Sequence, residues 1–311
     1  MAGKGFRFGS RTADVNREVM KERARSDYEK PKNSGIDYIP TNYTGGILAG
    51  ARDGIYFWDT KSDNFVKLQE INHGVSGLCI HNGKVHGNDN YKGLCHINGV
   101  QIIDSITKKP LSQKTFTSGL ISLHGNLVSV FNNKAYTTTS RKPLFERDSD
   151  IRGLHVCGRE LYDCGDYGVF KTGLIGKGME RLVSQPVLAL GSYEDVLIYS
   201  TNDGVYDIET RELLYSSGFA GVITSLCTHN VGPSIADPAD LRMYGYSVEG
   251  GIIELIGSSE APNFRVDIKD TPIINSMISV SSEDVNKLIK ASKESKNKFS
   301  KTKTKGAGKW P

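Results

Sequence analysis

The sequence predicts an all-β fold built from repeated small antiparallel sheets, and a recurring phrase is the main reason. The phrase is a turn followed by Gly, an aliphatic residue and usually an aromatic residue. Its pivot residues stand at 54, 93, 134, 168, 204 and 251, with spacings of 39, 41, 34, 36 and 47 residues. A period near forty residues with strand-like content is typical of the blades of a β-propeller.

The order of apolar segments inside each repeat is the second reason for this prediction. A short run rich in branched residues, such as residues 75–80, comes first and suits a buried inner strand. A second strand follows, such as residues 126–131, and a turn then leads into the pivot phrase as the third strand. An outer strand such as residues 212–215 completes the repeat, so each blade should have four strands.

The two ends of the repeat region predict how the ring closes. Residues 272–280 form an inner-type strand with no partner after it, whereas residues 46–50 and 55–58 lack an inner strand before them. Pairing these N- and C-terminal strands makes one composite blade and removes the exposed strand edges. We therefore expect six four-stranded blades, or seven if residues 36–39 provide an inner strand of their own.

The repeat pattern resembles the β-propeller superfamily in its WD40-like and YVTN-like branches. The resemblance covers roughly residues 37 to 280 and includes one WD dipeptide, Trp58-Asp59, without the Gly-His pair of WD40 repeats. It implies the fold and no particular activity, and it carries no site residues onto this chain.

Charge divides the chain into three regions. The predicted regions are a basic, partly helical N-terminal extension (1–36), the propeller (37–280), and a short helix with a lysine-rich disordered tail (281–311). Residues 1–32 carry a net charge of +4 and residues 287–311 carry +8, so the rest carries −8 in a chain of net +4. Ser281 or Ser282 is placed to cap the C-terminal helix.

The C-terminal tail is the predicted site of contact with nucleic acid. Spaced lysines neutralise phosphates, and an aromatic ring can stack on an exposed base. The candidate residues are Lys293, Lys296, Lys298, Lys301, Lys303, Lys305, Lys309 and Trp310. RNA or a ribonucleoprotein would fit this tail, as would an acidic protein surface, a targeting role or plain solvation.

The segment from residue 229 to 243 departs from the repeat and lengthens its interval. It contains Pro233, Asp237 and Asp240 and should project from one rim. Long loops on a rigid scaffold often carry binding function, so we predict a protein-partner site there, with a tolerated insertion as the alternative.

Cysteine and histidine residues could suggest a metal site. Cys79, His81, His86, Cys95 and His96 lie close in sequence, but their spacings do not match a zinc clamp. We expect them to pack within blades, and we expect no metal and no cofactor. The five cysteines should be reduced and buried, as in a cytoplasmic or nuclear protein.

Catalytic motifs are missing from the sequence. It contains no Gly-x-Ser-x-Gly elbow, although Asp163, Asp166 and Glu194 could meet near a central channel. We therefore predict a non-enzymatic, intracellular and monomeric scaffold that binds protein partners away from membranes, with tails that attach it to a larger, ribonucleoprotein-like assembly. The alternatives are a nucleic-acid or ribosome-associated factor that binds mainly through its tails, and a propeller hydrolase or lyase that uses the channel.

Overall fold

The computed structural model describes most of the repeat region. The described residues are 45–60, 64–70, 74–82, 84–89, 93–96, 119–137, 142–172, 178–231, 240–257, 265–266, 272–281 and 283–284. All of them lie in the second of the chain's two units, 1–39 and 40–311. The predicted N-terminal extension, residues 36–39 and the lysine-rich tail lie outside the described residues.

The described strands form six antiparallel sheets, here called blades and given from the inner strand outward. Blade 1 consists of β23 (Ile274–Ser281), β1 (Gly45–Ala51), β2 (Gly54–Asp59) and β3 (Asn64–Glu70). Blade 2 consists of β4 (Val75–His81), β5 (Lys84–Asp89) and β6 (Gly93–His96). Blade 3 consists of β7 (Leu120–Leu123), β8 (Asn126–Phe131), β9 (Lys134–Thr137) and β10 (Phe145–Glu146).

The remaining blades follow the same plan. Blade 4 consists of β11 (Ile151–Cys157), β12 (Glu160–Gly165), β13 (Gly168–Thr172) and β14 (Met179–Val183). Blade 5 consists of β15 (Ala189–Tyr193), β16 (Val196–Ser200), β17 (Gly204–Asp207) and β18 (Leu213–Ser216). Blade 6 consists of β19 (Ile223–Asn230), β20 (Leu241–Ser247), β21 (Gly251–Ile256) and β22 (Arg265–Val266), and a four-residue helix α1 (Ser217–Ala220) precedes it.

The structure confirms the β-propeller, and its described residues form six sheets. The inner strands contact one another in the closed order β23, β4, β7, β11, β15, β19 and back to β23. Five sheets have four strands, where six such blades were predicted, and blade 2 has three strands in the described part. A fourth strand of blade 2 would fall within residues 97–118, which lie outside the described residues.

The predicted composite blade is present. β23 pairs with β1 in antiparallel register, with Ile47 opposite Ser279 and Gly45 opposite Ser281. All seven residues of β1 are buried, so this strand is enclosed on both faces. Ser281 ends β23 and its hydroxyl accepts a hydrogen bond from the backbone N–H of Asp284 at 3.2 Å, as expected for a helix cap.

Pivot residues begin the third strand of each blade, as predicted; they are glycines in five blades and Lys134 in blade 3. Gly168 has φ +105°, and a Cβ there would lie 1.9 Å from the Val183 carbonyl oxygen of the outer strand. At Gly204 the corresponding distance, to the Tyr215 carbonyl oxygen, would be 2.2 Å. Glycine is thus required because the outer strand lies directly above the pivot.

A step from a small residue to Leu or Met joins neighbouring blades. It occurs on every inner strand, as Gly77-Leu78, Gly119-Leu120, Gly153-Leu154, Ala189-Leu190, Ser225-Leu226 and Ser276-Met277. The large residue packs against the preceding blade: Leu78 clusters with Leu48 and Ile55 of blade 1, and Leu226 clusters with Ile198 of blade 5. This repeated apolar contact forms the core between blades.

Closure of the ring predicts different effects for two truncations. Removing residues 272–311 deletes β23, which exposes the edge of β1 and uncovers the apolar contacts between blades 1, 2 and 6. We expect this chain to lose its cooperative thermal transition in circular dichroism. Removing only residues 287–311 is the control and should shift the melting temperature by no more than about 2 °C. Equal destabilisation by both truncations would contradict the closure role of β23.

Candidate functional site: the central channel and its surroundings

The six inner strands surround a central channel of about 450 Å³. Among the described residues that line it, Arg152 is the only lysine, arginine or carboxylate side chain. Serine, threonine and aliphatic residues make up most of the wall. The described wall therefore offers hydroxyl groups and apolar surface but no carboxylate for acid or base chemistry.

The three carboxylates suggested for the channel lie elsewhere. Asp163 is fully buried within blade 4, and Asp166 lies on the turn between β12 and β13, 2.7 Å from Arg152. Glu194 occupies the turn between β15 and β16 with φ +53°. The expectation that these carboxylates could meet near the channel is wrong. Asp163 lies on a strand within blade 4, whereas Asp166 and Glu194 lie on turns at strand ends, so their side chains do not converge.

Three histidine–serine hydrogen bonds join alternate pairs of inner strands. His81 Nδ1 lies 2.9 Å from Ser122 Oγ, which links β4 to β7. His155 Nε2 lies 3.0 Å from Ser192 Oγ, which links β11 to β15, and His229 Nδ1 lies 2.8 Å from Ser279 Oγ, which links β19 to β23. Each imidazole thus ties one blade to the next, and the three serines and His155 lie on the wall of the channel.

Other polar contacts link two further pairs of inner strands. The hydroxyl of Ser276 on β23 accepts from the N–H of Leu78 on β4 at 3.1 Å, and the Asn275 side chain donates to the Val75 carbonyl at 3.0 Å. Thr228 on β19 donates to the backbone carbonyl of Ser192 on β15. Most polar groups of the wall therefore serve the joints between blades.

Burial controls the acid–base properties of this wall. It lowers the pKa of His155 to about 4, so the imidazole is neutral at physiological pH. It raises the pKa of the Cys79 and Cys227 thiols to about 12. These thiols are poor nucleophiles, since the reactive form is the thiolate.

A buried ion pair between blades 3 and 4 escaped the sequence analysis. Arg147 follows β10 of blade 3 and is 6% exposed, and its Nε donates to Asp163 Oδ2 of blade 4 at 2.7 Å. Thr172 accepts from Arg147 at 2.7 Å and donates to Asp163 at 3.0 Å, and Tyr167 donates to Asp163 at 2.8 Å. Burial, followed by the charge of Asp163, raises the pKa of Tyr167.

Aromatic rings enclose the guanidinium group of this pair. The Arg147 Cζ atom lies 4.5 Å from the Phe145 ring centroid and 4.7 Å from that of Phe170. Residues 147 and 163 are sixteen apart on different blades. The sequence therefore gives no local signal for such a pair. The one available clue is an arginine, Arg147, in the connection between two predicted blades.

The predicted partner and tail residues are mostly outside the described part. Pro233, Asp237, Lys293, Lys296, Lys298, Lys301, Lys303, Lys305, Lys309 and Trp310 lie there. Asp240 is described and half-buried, and its backbone carbonyl accepts from the N–H of Val231 at 2.9 Å. This bond closes the base of the segment that departs from the repeat.

The cysteine and histidine cluster is distributed over blade 2. Strand register places Cys79 opposite His86 and His86 opposite His96, and the His81 and His86 rings lie 5.7 Å apart in an edge contact. Within the described residues, no group of three potential ligands is positioned to hold a metal ion. Cys79, Cys157, Cys164 and Cys227 are free and buried.

Comparison with solved structures supports the fold. The chain is similar to a chain of the nidogen–laminin complex, with a TM-score of 0.56 and 12% identity over 76% of this chain and 99% of that one. It is also similar to the WD40 propeller domain of Doa1 (TM-score 0.48, 12% identity, 78% and 88% covered) and to U3-55K (0.47, 15%, 78% and 83%). No family model and no curated protein matches the chain.

The closed ring of small antiparallel sheets defines the class of this protein. It is a β-propeller. The fold is compatible with a scaffold role, and at these identities the similarity extends to the fold alone. In the described part of the chain, no helix has the length and hydrophobicity needed to cross a membrane.

Replacing Arg147 tests the buried pair. Arg147→Met leaves Asp163 buried without its cation, so we expect a loss of about 3–5 kcal/mol in the free energy of unfolding, measured by urea denaturation. Arg152→Met is the matched control, because the Arg152–Asp166 pair is exposed and should contribute about 1 kcal/mol or less. Similar losses in the two variants would contradict a structural role for the buried pair.

The low pKa of His155 predicts a pH dependence of stability. In the unfolded chain His155 binds a proton near its usual pKa of 6.5, whereas in the folded protein it binds one only near 4. The free energy of unfolding should therefore fall as pH drops from 6.5 towards 4. Below that range His155 should make no further change to it. His155→Gln should flatten that part of the urea-denaturation profile.

An exposed histidine provides the control for the pH experiment. His124 lies exposed in the turn between β7 and β8, so His124→Asn should leave the slope unchanged. If His155→Gln shows the same dependence of stability on pH between 6.5 and 4 as the original protein, burial of His155 does not cause the loss of stability in acid.

Proposed function

We propose that this protein is a non-enzymatic scaffold that binds protein partners through its rims. The observation that carries the proposal is the use of the channel wall. Its serines at 122, 192 and 279 accept or donate hydrogen bonds across blade boundaries, and its described residues include no carboxylate. The turns and connections at the two rims remain available for recognition. Rigid scaffolds commonly hold their binding residues on such loops. This distribution favours a scaffold over a channel hydrolase or lyase.

Two places supply the contacts in this proposal. One is the segment from residue 229 to 243, with Pro233, Asp237 and Asp240. The other is the pair of basic terminal regions, which attach the propeller to a larger assembly by electrostatic contact, with RNA or a ribonucleoprotein as the acidic partner. The protein would act as an intracellular monomer in the cytoplasm or nucleus.

Charge supports the role of the tails. Residues 287–311 contain nine lysines and one glutamate, whereas residues 33–286 carry a net charge of −8. A polyanion would therefore be attracted to the tail and repelled by residues 33–286. A nucleic-acid or ribosome-associated factor that relies mainly on its tails is the second candidate, favoured by the same charge distribution.

An affinity purification separates these functions. The full chain and a chain lacking residues 287–311 are recovered from native lysate, with and without nuclease, and the co-purified proteins are identified by mass spectrometry. We expect nuclease and the truncation to remove the same ribonucleoprotein components and to leave a set of direct protein partners. Nucleic-acid affinity that survives the truncation would contradict the proposed role of residues 287–311 in binding nucleic acid. Loss of every partner would favour the nucleic-acid or ribosome-associated factor.

A further inference from the structure

A methionine sulfur contacts the buried guanidinium group between blades 3 and 4. Met179 begins β14, the outer strand of blade 4, and its Sδ lies 2.8 Å from Nη1 of Arg147, which donates to it. Met179 is 55% exposed, whereas Arg147 is 6% exposed. This side chain therefore reaches from water to a buried cation.

The other atoms of the guanidinium group fix its orientation. Its Nε and Nη2 donate to Asp163, Nη2 also donates to Thr172, and two aromatic rings, Phe145 and Phe170, pack against it. Thr172 of β13 stands opposite Met179 of β14 in strand register, so the two side chains share one face of the blade. The direction of Nη1 relative to the sulfur is set by this network.

The sulfur is the atom of this network that can be oxidised. A thioether reacts with hydrogen peroxide to give a sulfoxide and water: the sulfur loses two electrons and gains one oxygen atom, and the peroxide is reduced. An oxidant reaches an exposed sulfur before a buried one. Met243 and Met277, the other methionines of the described residues, are 0% and 5% exposed, so Met179 should react first.

The contact with Arg147 makes the two lone pairs of the sulfur different. The N–H of Arg147 occupies one lone pair, so peroxide attacks through the other. Each lone pair leads to a different epimer of the sulfoxide. The folded protein should therefore form one epimer in excess, whereas a methionine that is merely exposed forms both in similar amounts.

We propose that Met179 is a site of reversible oxidation, at which the fixed guanidinium group of Arg147 selects one epimer of the sulfoxide. A methionine sulfoxide reductase specific for that epimer restores the thioether: two thiols are oxidised to a disulfide and the oxygen leaves as water. Oxidation replaces an exposed apolar side chain with a polar one on the outer strand of blade 4, while Asp163 keeps its cation. The inference goes beyond the proposed scaffold function and does not depend on it.

Oxidation of the folded full chain with hydrogen peroxide tests the site. The peroxide is removed, the chain is digested, and mass spectrometry gives the fraction of sulfoxide at each methionine. The peptide that contains residue 179 is then treated with one or the other of two stereospecific methionine sulfoxide reductases, one for each epimer. The same oxidation in concentrated urea, where the chain is unfolded and the contact with Arg147 is lost, is the matched control.

The expected result has three parts. In the folded protein, Met179 is oxidised about tenfold or more faster than Met243 and Met277. One reductase acts on about three quarters or more of the sulfoxide formed in the folded protein, and each acts on roughly half of that formed in urea. The oxidised protein keeps its cooperative melting transition within about 4 °C, and the matching reductase restores the original mass of the intact chain.

Four outcomes would overturn the inference: oxidation of Met243 or Met277 as fast as Met179, equal amounts of the two epimers in the folded protein, loss of the melting transition on oxidation, or no repair of the intact chain by either reductase. Met179→Leu conserves the side-chain volume and removes the sulfur, so peroxide should no longer shift its melting temperature through this position. A shift as large as that of the original protein would also contradict the site. None of these outcomes depends on whether the affinity purification recovers protein partners.

Discussion

Pairing of β1 with β23 is the interaction on which the rest of the structure depends. It joins residues 45–51 to residues 274–281, so nearly the whole repeat region lies between the two strands. A contact this distant in sequence costs chain entropy and forms slowly, and it is worth forming only if it creates many other contacts. It does so because each inner strand packs its Leu or Met on the preceding blade, and blade 6 precedes blade 1 only in a closed ring.

Closure also determines what the channel wall can do. Side chains that would line an open pocket are instead hydrogen-bonded across blade boundaries, as with His155 and Ser192 or His229 and Ser279. Burial keeps His155 neutral and keeps the Cys79 and Cys227 thiols protonated. The inner wall is therefore occupied with holding the blades together, which supports the proposal that recognition takes place at the rims.

The parts predictable from sequence were those with a local or periodic signal. The pivot glycines recur at a regular period, and at positions 168 and 204 the outer strand excludes a Cβ. The small-to-large step on the inner strands was equally periodic, and aligning the inner segments would have revealed it. The periodicity of the sequence predicted the blades and the closure of the ring. That the described residues of blade 2 form three strands was found only in the structure.

The polar joints could not be predicted because they have no local signal. His81 and Ser122 are 41 residues apart and His229 and Ser279 are 50 apart, so only the ring brings them together. Asp163 was expected near the channel, yet Arg147 from the preceding connection holds it inside blade 4. A carboxylate on a strand gives no indication of which blade neighbour will supply its cation.

The separation of charge constrains how the proposed contacts can combine. A tail of net charge +8 and a remainder of net charge −8 over residues 33–286 attract opposite kinds of partner. A polyanion bound to the tail gains nothing from the acidic residues 33–286, and a basic partner bound to those residues gains nothing from the tail. An assembly that contains both a nucleic acid and a basic protein segment satisfies both at once, and the two contacts then strengthen each other by raising the local concentration of the second partner.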